Sequence, residues 1–237
     1  MQNSIVKNTF FLNALLLFTL MAFFGFSCNT TQKAPAERTT QQMDESPETA
    51  DDGIKTPTVI PEGMATAYLA SGCFWCVEAI YEHAIGVQEV ISGYSGGHTK
   101  NPTYESSNTG RTGHAEAVEV IYDPSVISFS QLIDIYFATQ NPTQVNGQGP
   151  DRGSQYRSII FYQNDEEKQI IEEKKAALAK ELNAEIAAEV MPFERFWVAE
   201  DYHQDYERLH PNQSYIVNVS VPRLNKFKKQ FPELVKK

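Results

Sequence analysis

Hydrophobic side chains fall along this chain in three regimes. A dense apolar run from Phe10 to Phe26, broken only by Asn13 and Thr19, follows Lys7. Residues 29–63 then hold Thr, Gln, Pro, Ala and acids, with hardly an apolar side chain before Ile54. Such a stretch cannot bury enough surface to offset its ordering entropy, so it reads as a disordered tether. From about Met64 the pattern turns globular. Thr66–Ala70 reads as a short buried strand, and Gly72-Cys73-Phe74-Trp75-Cys76 leads into a helix through Val77–Ala84 that Gly86 stops. Val87–Tyr94 reads as a strand ending in the turn Ser95-Gly96-Gly97. The region from Gly93 to Gly113 is rich in Gly, Asn, Ser, Thr and Pro, and long loops within compact domains are usually functional.

His114–Tyr122 alternates cleanly, with Ala115, Ala117, Glu119 and Ile121 on one face and Glu116, Val118, Val120 and Tyr122 on the other. Ser128 and Gln131 form a capping box that opens a helix through about Thr139. Tyr156–Tyr162 is another apolar strand. Asn164 with Glu167 caps an amphipathic helix to about Glu185, with Ile170, Ile171, Ala177 and Leu178 at helical spacing. Phe193–Ala199 reads as a strand and Asp201–His210 as a short helix. Strands and helices interleave without regular βαβ units, and no internal repeat is visible. The pattern therefore favours an α+β fold with a mixed or antiparallel sheet over a doubly wound one.

Composition narrows the picture. Of 237 residues, 20 are Lys or Arg and 30 are Asp or Glu, a net charge of −10. An acidic chain without a long basic run is a poor nucleic-acid partner, since that binding begins with cations neutralising phosphates. The tether holds part of this charge, so the balance says little about any catalytic surface. The positive start, apolar run and Ser27-Cys28 resemble a bacterial lipoprotein signal, in which Cys28 is lipidated and becomes the new N-terminus. Plain cleavage and an uncleaved anchor are the alternatives, and all three place the rest of the chain outside the cytoplasm. The expected organisation is a signal at 1–27, a tether at 28–63, a folded domain at 64–232 and a basic tail at 233–237. The expected location is the cell envelope, anchored to the membrane and facing the periplasm.

Three cysteines are too few for a disulfide scaffold. Cys73 follows a strand at the first turn of a helix, where free N–H groups and the helix dipole favour an anion, so its thiol is expected to be acidic and nucleophilic. Cys76 lies one turn on, on the same side, a spacing suited to a reversible disulfide. A zinc site would need further ligands; no second C-x-x-C exists and the histidines show no paired spacing, so no metal is expected. A purely structural bridge would close a tiny loop and add little stability. Glu116 shares a face with Val118, Val120 and Tyr122. If that face is the core side, desolvation holds Glu116 protonated as a proton donor; if it is an exposed edge, Glu116 is simply solvated. The other face is also partly apolar, so alternation alone leaves both open. A thiolate beside a neutral acid suits reduction of a polar S=O bond, one possibility among several.

Several motifs in register then resemble one family: Gly72-Cys73-Phe74-Trp75, Gly93-Tyr94-Ser95-Gly96-Gly97, Asn101-Pro102-Thr103-Tyr104, Thr112-Gly113-His114-Ala115-Glu116-Ala117, Tyr122-Asp123-Pro124 and Gly153-Ser154-Gln155-Tyr156-Arg157-Ser158. Pro192-Phe193, Ala199-Glu200-Asp201-Tyr202-His203-Gln204 and Tyr206 extend the match. Together, from about Ala65 to Leu224, they are similar to the A-type peptide methionine sulfoxide reductases. The resemblance implies a two-layer α/β sandwich with a mixed, largely antiparallel sheet, ferredoxin-like in character. It also implies reduction of the S-epimer of methionine sulfoxide, free or in proteins, with no bound cofactor. Cys73 matches the family nucleophile, Phe74 and Trp75 the wall that holds the substrate methyl group, and Glu116 the acid that protonates the sulfoxide oxygen. Tyr104 and Tyr156 match phenols that hydrogen-bond that oxygen, and Asp151 an acid of the same network. Read without the family, these aromatics are ordinary core rings.

Cys76 stands where many members have Gly, and no cysteine follows it. Cys76 is therefore expected to resolve the Cys73 sulfenic acid as a disulfide that a thioredoxin-like partner reduces. The alternatives are direct reduction by an external thiol with Cys76 a bystander, a general thiol–disulfide oxidoreductase, and a non-catalytic lipoprotein binding module.

Overall fold

A computed structural model describes residues 58–237. The expected signal, Cys28 and most of the tether lie outside the described residues. Strand β1 (Ala65–Ser71) leads to helix α1 (Phe74–Glu82), β2 (Val87–Ser95), the short α2 (Tyr104–Asn108) and β3 (Ala115–Tyr122). Helix α3 (Phe129–Ala138), the two-residue strands β4 (Gly147–Gln148) and β5 (Asp151–Arg152), β6 (Ser158–Tyr162) and α4 (Asp165–Leu182) follow. The chain ends with β7 (Glu189–Pro192), β8 (Phe196–Val198), α5 (Tyr206–Leu209) and α6 (Val221–Gln230).

Six strands form one sheet in the order β7-β6-β1-β3-β2-β8. The inner four, β6-β1-β3-β2, are antiparallel, and β1-α1-β2-β3-α3-β6 is a split βαβ of ferredoxin-like order. Only β7 runs parallel, along β6. The expected α+β class with a mixed, largely antiparallel sheet is what the chain adopts.

Strand β3 lies between β1 and β2, and every one of its residues is buried. This explains why its two faces look alike in sequence: both are covered. Val118, Val120 and Tyr122 join the main core with Val77 and Ile80 of α1, Leu132 and Ile135 of α3, Ile171 of α4 and Phe227 of α6. The other face holds a smaller cluster of Tyr68, Ala70, Ala115, Ala117, Ile159 and Phe161, under Met191, Phe193 and Phe196. On that side Tyr68 stacks on Phe193 at 3.6 Å and donates its phenol proton to Glu119 Oε1 at 2.7 Å.

Local chemistry sets most boundaries. The Ser128/Gln131 capping box is present, and Asn164 accepts from the Glu167 amide at 2.9 Å. Helix α4 stops at Leu182, short of the expected Glu185, because Asn183 takes a left-handed conformation (φ 47°) that Asn tolerates. The strand expected from Tyr156 begins at Ser158, since the Tyr156 N–H closes a turn on Gly153 O at 3.0 Å. The strand expected at Phe193–Ala199 is confined to Phe196–Val198. The helix expected at Asp201–His210 is broken into a 3-10 turn and α5, because Asp205 is left-handed (φ 57°) with its N–H tied to Glu78 Oε1 at 2.6 Å. Helix α6 had no counterpart in the sequence reading; only Leu224 and Phe227 on it are buried, too few for a clear period. The stretch read as a basic tail packs back on the domain: Leu234 is buried, and the Ile85 amide donates to its carbonyl at 2.8 Å.

Gly72 makes the corner between β1 and α1. Its φ is +75°, and a Cβ there would come within 2.5 Å of Gln148 Cβ. Replacing Gly72 with Ala should therefore lower the unfolding free energy by about 1–3 kcal/mol through backbone strain, before any cost of the clash. An unchanged urea midpoint for that variant would contradict this account of the corner.

Candidate active site

The corner delivers Cys73 as the N-cap of α1, with φ −56° and ψ 124°. The first amides of a helix have no partner inside it and attract negative charge. Here the first free amide is taken by the Glu116 carboxyl and not by the thiol: the Phe74 N–H donates to Glu116 Oε2 at 3.0 Å, while the Cys73 side chain makes no cap hydrogen bond. Glu116 is 2% exposed, so the solvated-edge alternative does not hold. Burial pushes its carboxyl up to about 8; the Phe74 amide opposes this, and the nearby Asp151 and Cys76 add to it.

The cysteine pair departs from expectation. Both are reduced and buried. Burial, then the neighbouring Cys76 and Glu116, push the Cys73 thiol well above its ordinary range. The Cys76 thiol falls to about 6, chiefly through its hydrogen bond with Cys73, and against burial it is also favoured by the Arg223 charge and by Ser220 and Tyr215. The acidic thiol is thus Cys76, not Cys73 as the helix-dipole argument predicted. The dipole is already engaged by Glu116, and the cation lies on the Cys76 side.

A polar network continues from Cys76. Its Sγ lies 3.8 Å from Tyr215 Oη, and Tyr215 in turn donates to Asp151 Oδ2 at 2.5 Å. Burial raises the Tyr104 and Tyr156 phenols, which neighbour one another and both feel the charges of Glu116 and Cys73. Both therefore stay protonated as donors at physiological pH.

Aromatic rings enclose the sulfur side. Phe74 is fully buried, with Tyr94 at 5.9 Å and His203 at 4.8 Å between ring centres. Trp75 is half-buried, stacks on Tyr206 at 3.7 Å and donates its indole N–H to His203 Nδ1 at 3.2 Å. Glu200 pins the wall from behind, accepting from the Tyr94 phenol and the Tyr104 amide, each at 2.9 Å. The site therefore combines two thiols, a protonated acid, phenolic donors and an apolar wall. That set can attack a polarised sulfur while protonating the oxygen bound to it.

Comparison with known proteins agrees. The family described as peptide methionine sulfoxide reductase matches residues 65–235. The chain belongs to that family. A peptide methionine sulfoxide reductase of the A type from Pasteurella multocida is 48% identical over 170 residues, covering 72% of this chain and 98% of the relative. One from Sulfolobus acidocaldarius is 47% identical over 170 residues, covering 72% and 97%. Among solved structures, methionine sulfoxide reductase A of Corynebacterium diphtheriae has a TM-score of 0.60 at 34% identity, covering 65% of this chain and 78% of that one. Reduced Mxr1 of Saccharomyces cerevisiae has a TM-score of 0.63 at 32% identity, covering 67% and 92%. The protein is an oxidoreductase, a methionine sulfoxide reductase.

Within this reductase, the fold gathers Cys73, Cys76, Phe74, Trp75, Tyr104, Glu116, Asp151 and Tyr156 from α1, α2, β3, β5 and the turn before β6. Cys28 lies outside the described residues. Tyr215, Ser220 and Arg223 were not singled out from sequence, because they sit in a polar stretch and an unforeseen helix with no motif to mark them. Glu200, His203 and Tyr206 lay inside a matched motif but had been given no role.

The state of Glu116 is directly measurable. With labelled glutamate carboxyls, its carbon resonance should titrate with a midpoint near 8. A midpoint near the ordinary glutamate value would contradict the buried placement.

Proposed function

We propose that this reductase acts on the S-epimer of methionine sulfoxide, free and in proteins, through attack of Cys73 on sulfur with Glu116 as proton donor. The observation that carries the reading is the hydrogen bond from the Phe74 amide to Glu116 Oε2, 3.0 Å long, which holds a protonated acid beside the nucleophile. Sulfoxide sulfur is pyramidal with three different substituents. Oxygen directed to Glu116, Tyr104 and Tyr156, and methyl directed to Phe74 and Trp75, leave one hand able to point its remaining chain outward. The family resemblance supports S as that hand.

In the first step Cys73 hands its thiol proton to the neighbouring Cys76 sulfur, which accepts it as the thiolate of the pair. Cys73 attacks sulfur, the oxygen takes a proton from Glu116, and methionine departs with Cys73 left as sulfenic acid. Cys76 then displaces the hydroxyl, forming a Cys73–Cys76 disulfide and water. A thioredoxin-like thiol donor reduces it. We place the enzyme in the cell envelope, held to the membrane through a lipid on Cys28, as the signal-like sequence supports.

Three outcomes check this reading. With the S and R epimers supplied separately, only S should be reduced, and Cys73→Ser should abolish turnover; equal rates on both epimers would overturn it. Since the acid must be protonated, kcat/KM should fall as pH rises through about 8, and Glu116→Gln should lose on the order of a hundredfold or more in rate. After one turnover without reductant, mass spectrometry should find wild type lighter by two hydrogens, and Cys76→Ser arrested as the sulfenic acid. Normal recycling of Cys76→Ser with a thioredoxin-like donor would remove Cys76 from the cycle.

A further inference from the structure

The two cysteines differ in what they offer a partner arriving from outside. Cys76 has no exposed surface: it lies in the main core one turn along α1, in one cluster with Leu224 and Phe227 of α6 and with Tyr215 packed against it. A π-helical turn, Ile216–Ser220, leads from Tyr215 into α6, and turn and helix both pack on α1. Tyr215 Oη is 3.8 Å from Cys76 Sγ and is itself held by Asp151, so this cover is pinned in place. Cys73 sits at the corner before α1 and keeps 6% exposure. Beside it Trp75, Tyr104 and Tyr156 are each half-buried, so the substrate side is the open side.

Thiol–disulfide exchange adds a directional requirement. The attacking sulfur comes in along the S–S axis, from beyond the sulfur it bonds to, so access decides which sulfur is taken. When Cys76 displaces the hydroxyl from Cys73, the departing oxygen lies on the far side of Cys73 from Cys76. That oxygen came from the sulfoxide and was directed to Glu116, Tyr104 and Tyr156. The axis of the resulting disulfide therefore runs from buried Cys76 through Cys73 into the emptied substrate pocket. Approach to Cys76 would have to cross the packed side of α1. Leaving ability points the same way, since Cys76 is the more acidic thiol and departs faster as a thiolate.

We propose that the donor, a thioredoxin-like dithiol, reduces the enzyme through the substrate pocket by attacking Cys73, so that substrate and donor use one opening in turn. The donor thiolate bonds to Cys73 sulfur as the Cys73–Cys76 bond breaks, and Cys76 leaves as a thiolate. The donor's second thiol then attacks the donor sulfur, the bond to Cys73 breaks, and the proton of that second thiol passes to the cysteine pair. The donor ends as its own disulfide. The enzyme regains two reduced cysteines that share one proton and one negative charge, the state from which Cys73 meets the next sulfoxide. Cys76 never touches the donor.

The inference rests on Cys76 being the resolving thiol, and the experiment separates the two. Wild type is oxidised with one equivalent of S-sulfoxide, and its intact mass reports whether the disulfide has formed. The oxidised enzyme is then mixed with a thioredoxin whose second active-site cysteine is replaced by serine, quenched with N-ethylmaleimide in denaturant and sequenced by mass spectrometry. Thioredoxin should be found on Cys73 and maleimide on Cys76. In turnover with intact thioredoxin, raising the sulfoxide beyond its own saturation should keep raising the KM for thioredoxin at constant kcat, because sulfoxide then blocks the opening of the oxidised enzyme. Thioredoxin on Cys76, no adduct on either cysteine, or a thioredoxin KM that stays flat beyond saturation would overturn the shared opening while leaving Cys76 as the resolving thiol. No disulfide after the sulfoxide would overturn that resolving role, and the inference with it.

Discussion

The hydrogen bond between the Phe74 amide and Glu116 joins the two halves of this site, and most of the surrounding structure serves it. One partner is the first free amide of α1, available only because Gly72 turns the chain sharply out of β1. The other is a carboxyl on the central strand of the sheet, where both strand faces are covered and water is excluded. A helix N-terminus usually stabilises a charge. Here burial is the larger effect, so the carboxyl keeps its proton near neutral pH even while it accepts the amide. The amide sets where the acid sits, and desolvation sets what it can donate.

Occupation of the helix end by Glu116 displaces the cysteine chemistry along α1. Cys73 gains nothing from the amides and is raised by burial and by its neighbours. Negative charge settles one turn further on, at Cys76, where Cys73, Arg223, Ser220 and Tyr215 converge. Those last three all come from the final quarter of the chain, and α6 fixes Arg223 by its bonds to the end of β1 and to α3's cap. The C-terminal segment of this reductase therefore supplies no cysteine of its own but sets the environment of the second one.

A similar division runs through the aromatic wall. Phe74 is both core residue and wall, since one turn of α1 places it over Tyr94 and His203. Trp75 is oriented by Tyr206 beneath its ring and His203 at its indole N–H. Both of these come from the segment that Asp205 breaks in two. Its left-handed backbone is held by Glu78, a buried carboxyl on α1 pushed up to about 7 by desolvation. The helix that carries the cysteines thus also anchors the segment that orients their wall.

Much of this was legible in the residues. The alternation of 114–122, the capping residues Ser128 and Asn164 and the interleaving of strands and helices determined the fold class, because these are local patterns set by backbone and side-chain periodicity. The spacing of Cys73 and Cys76 and the oddity of Glu116 pointed to the chemistry, since few residue types can do it. The sequence could not tell whether the face bearing Glu116 was buried, because a central strand is apolar on both sides. Nor could it tell which thiol holds the charge: that depends on Arg223, Ser220 and Tyr215, well over a hundred residues away along the chain. Electrostatic effects act through space, and only the packing of α6 and the π-turn against α1 decides which charges face which sulfur.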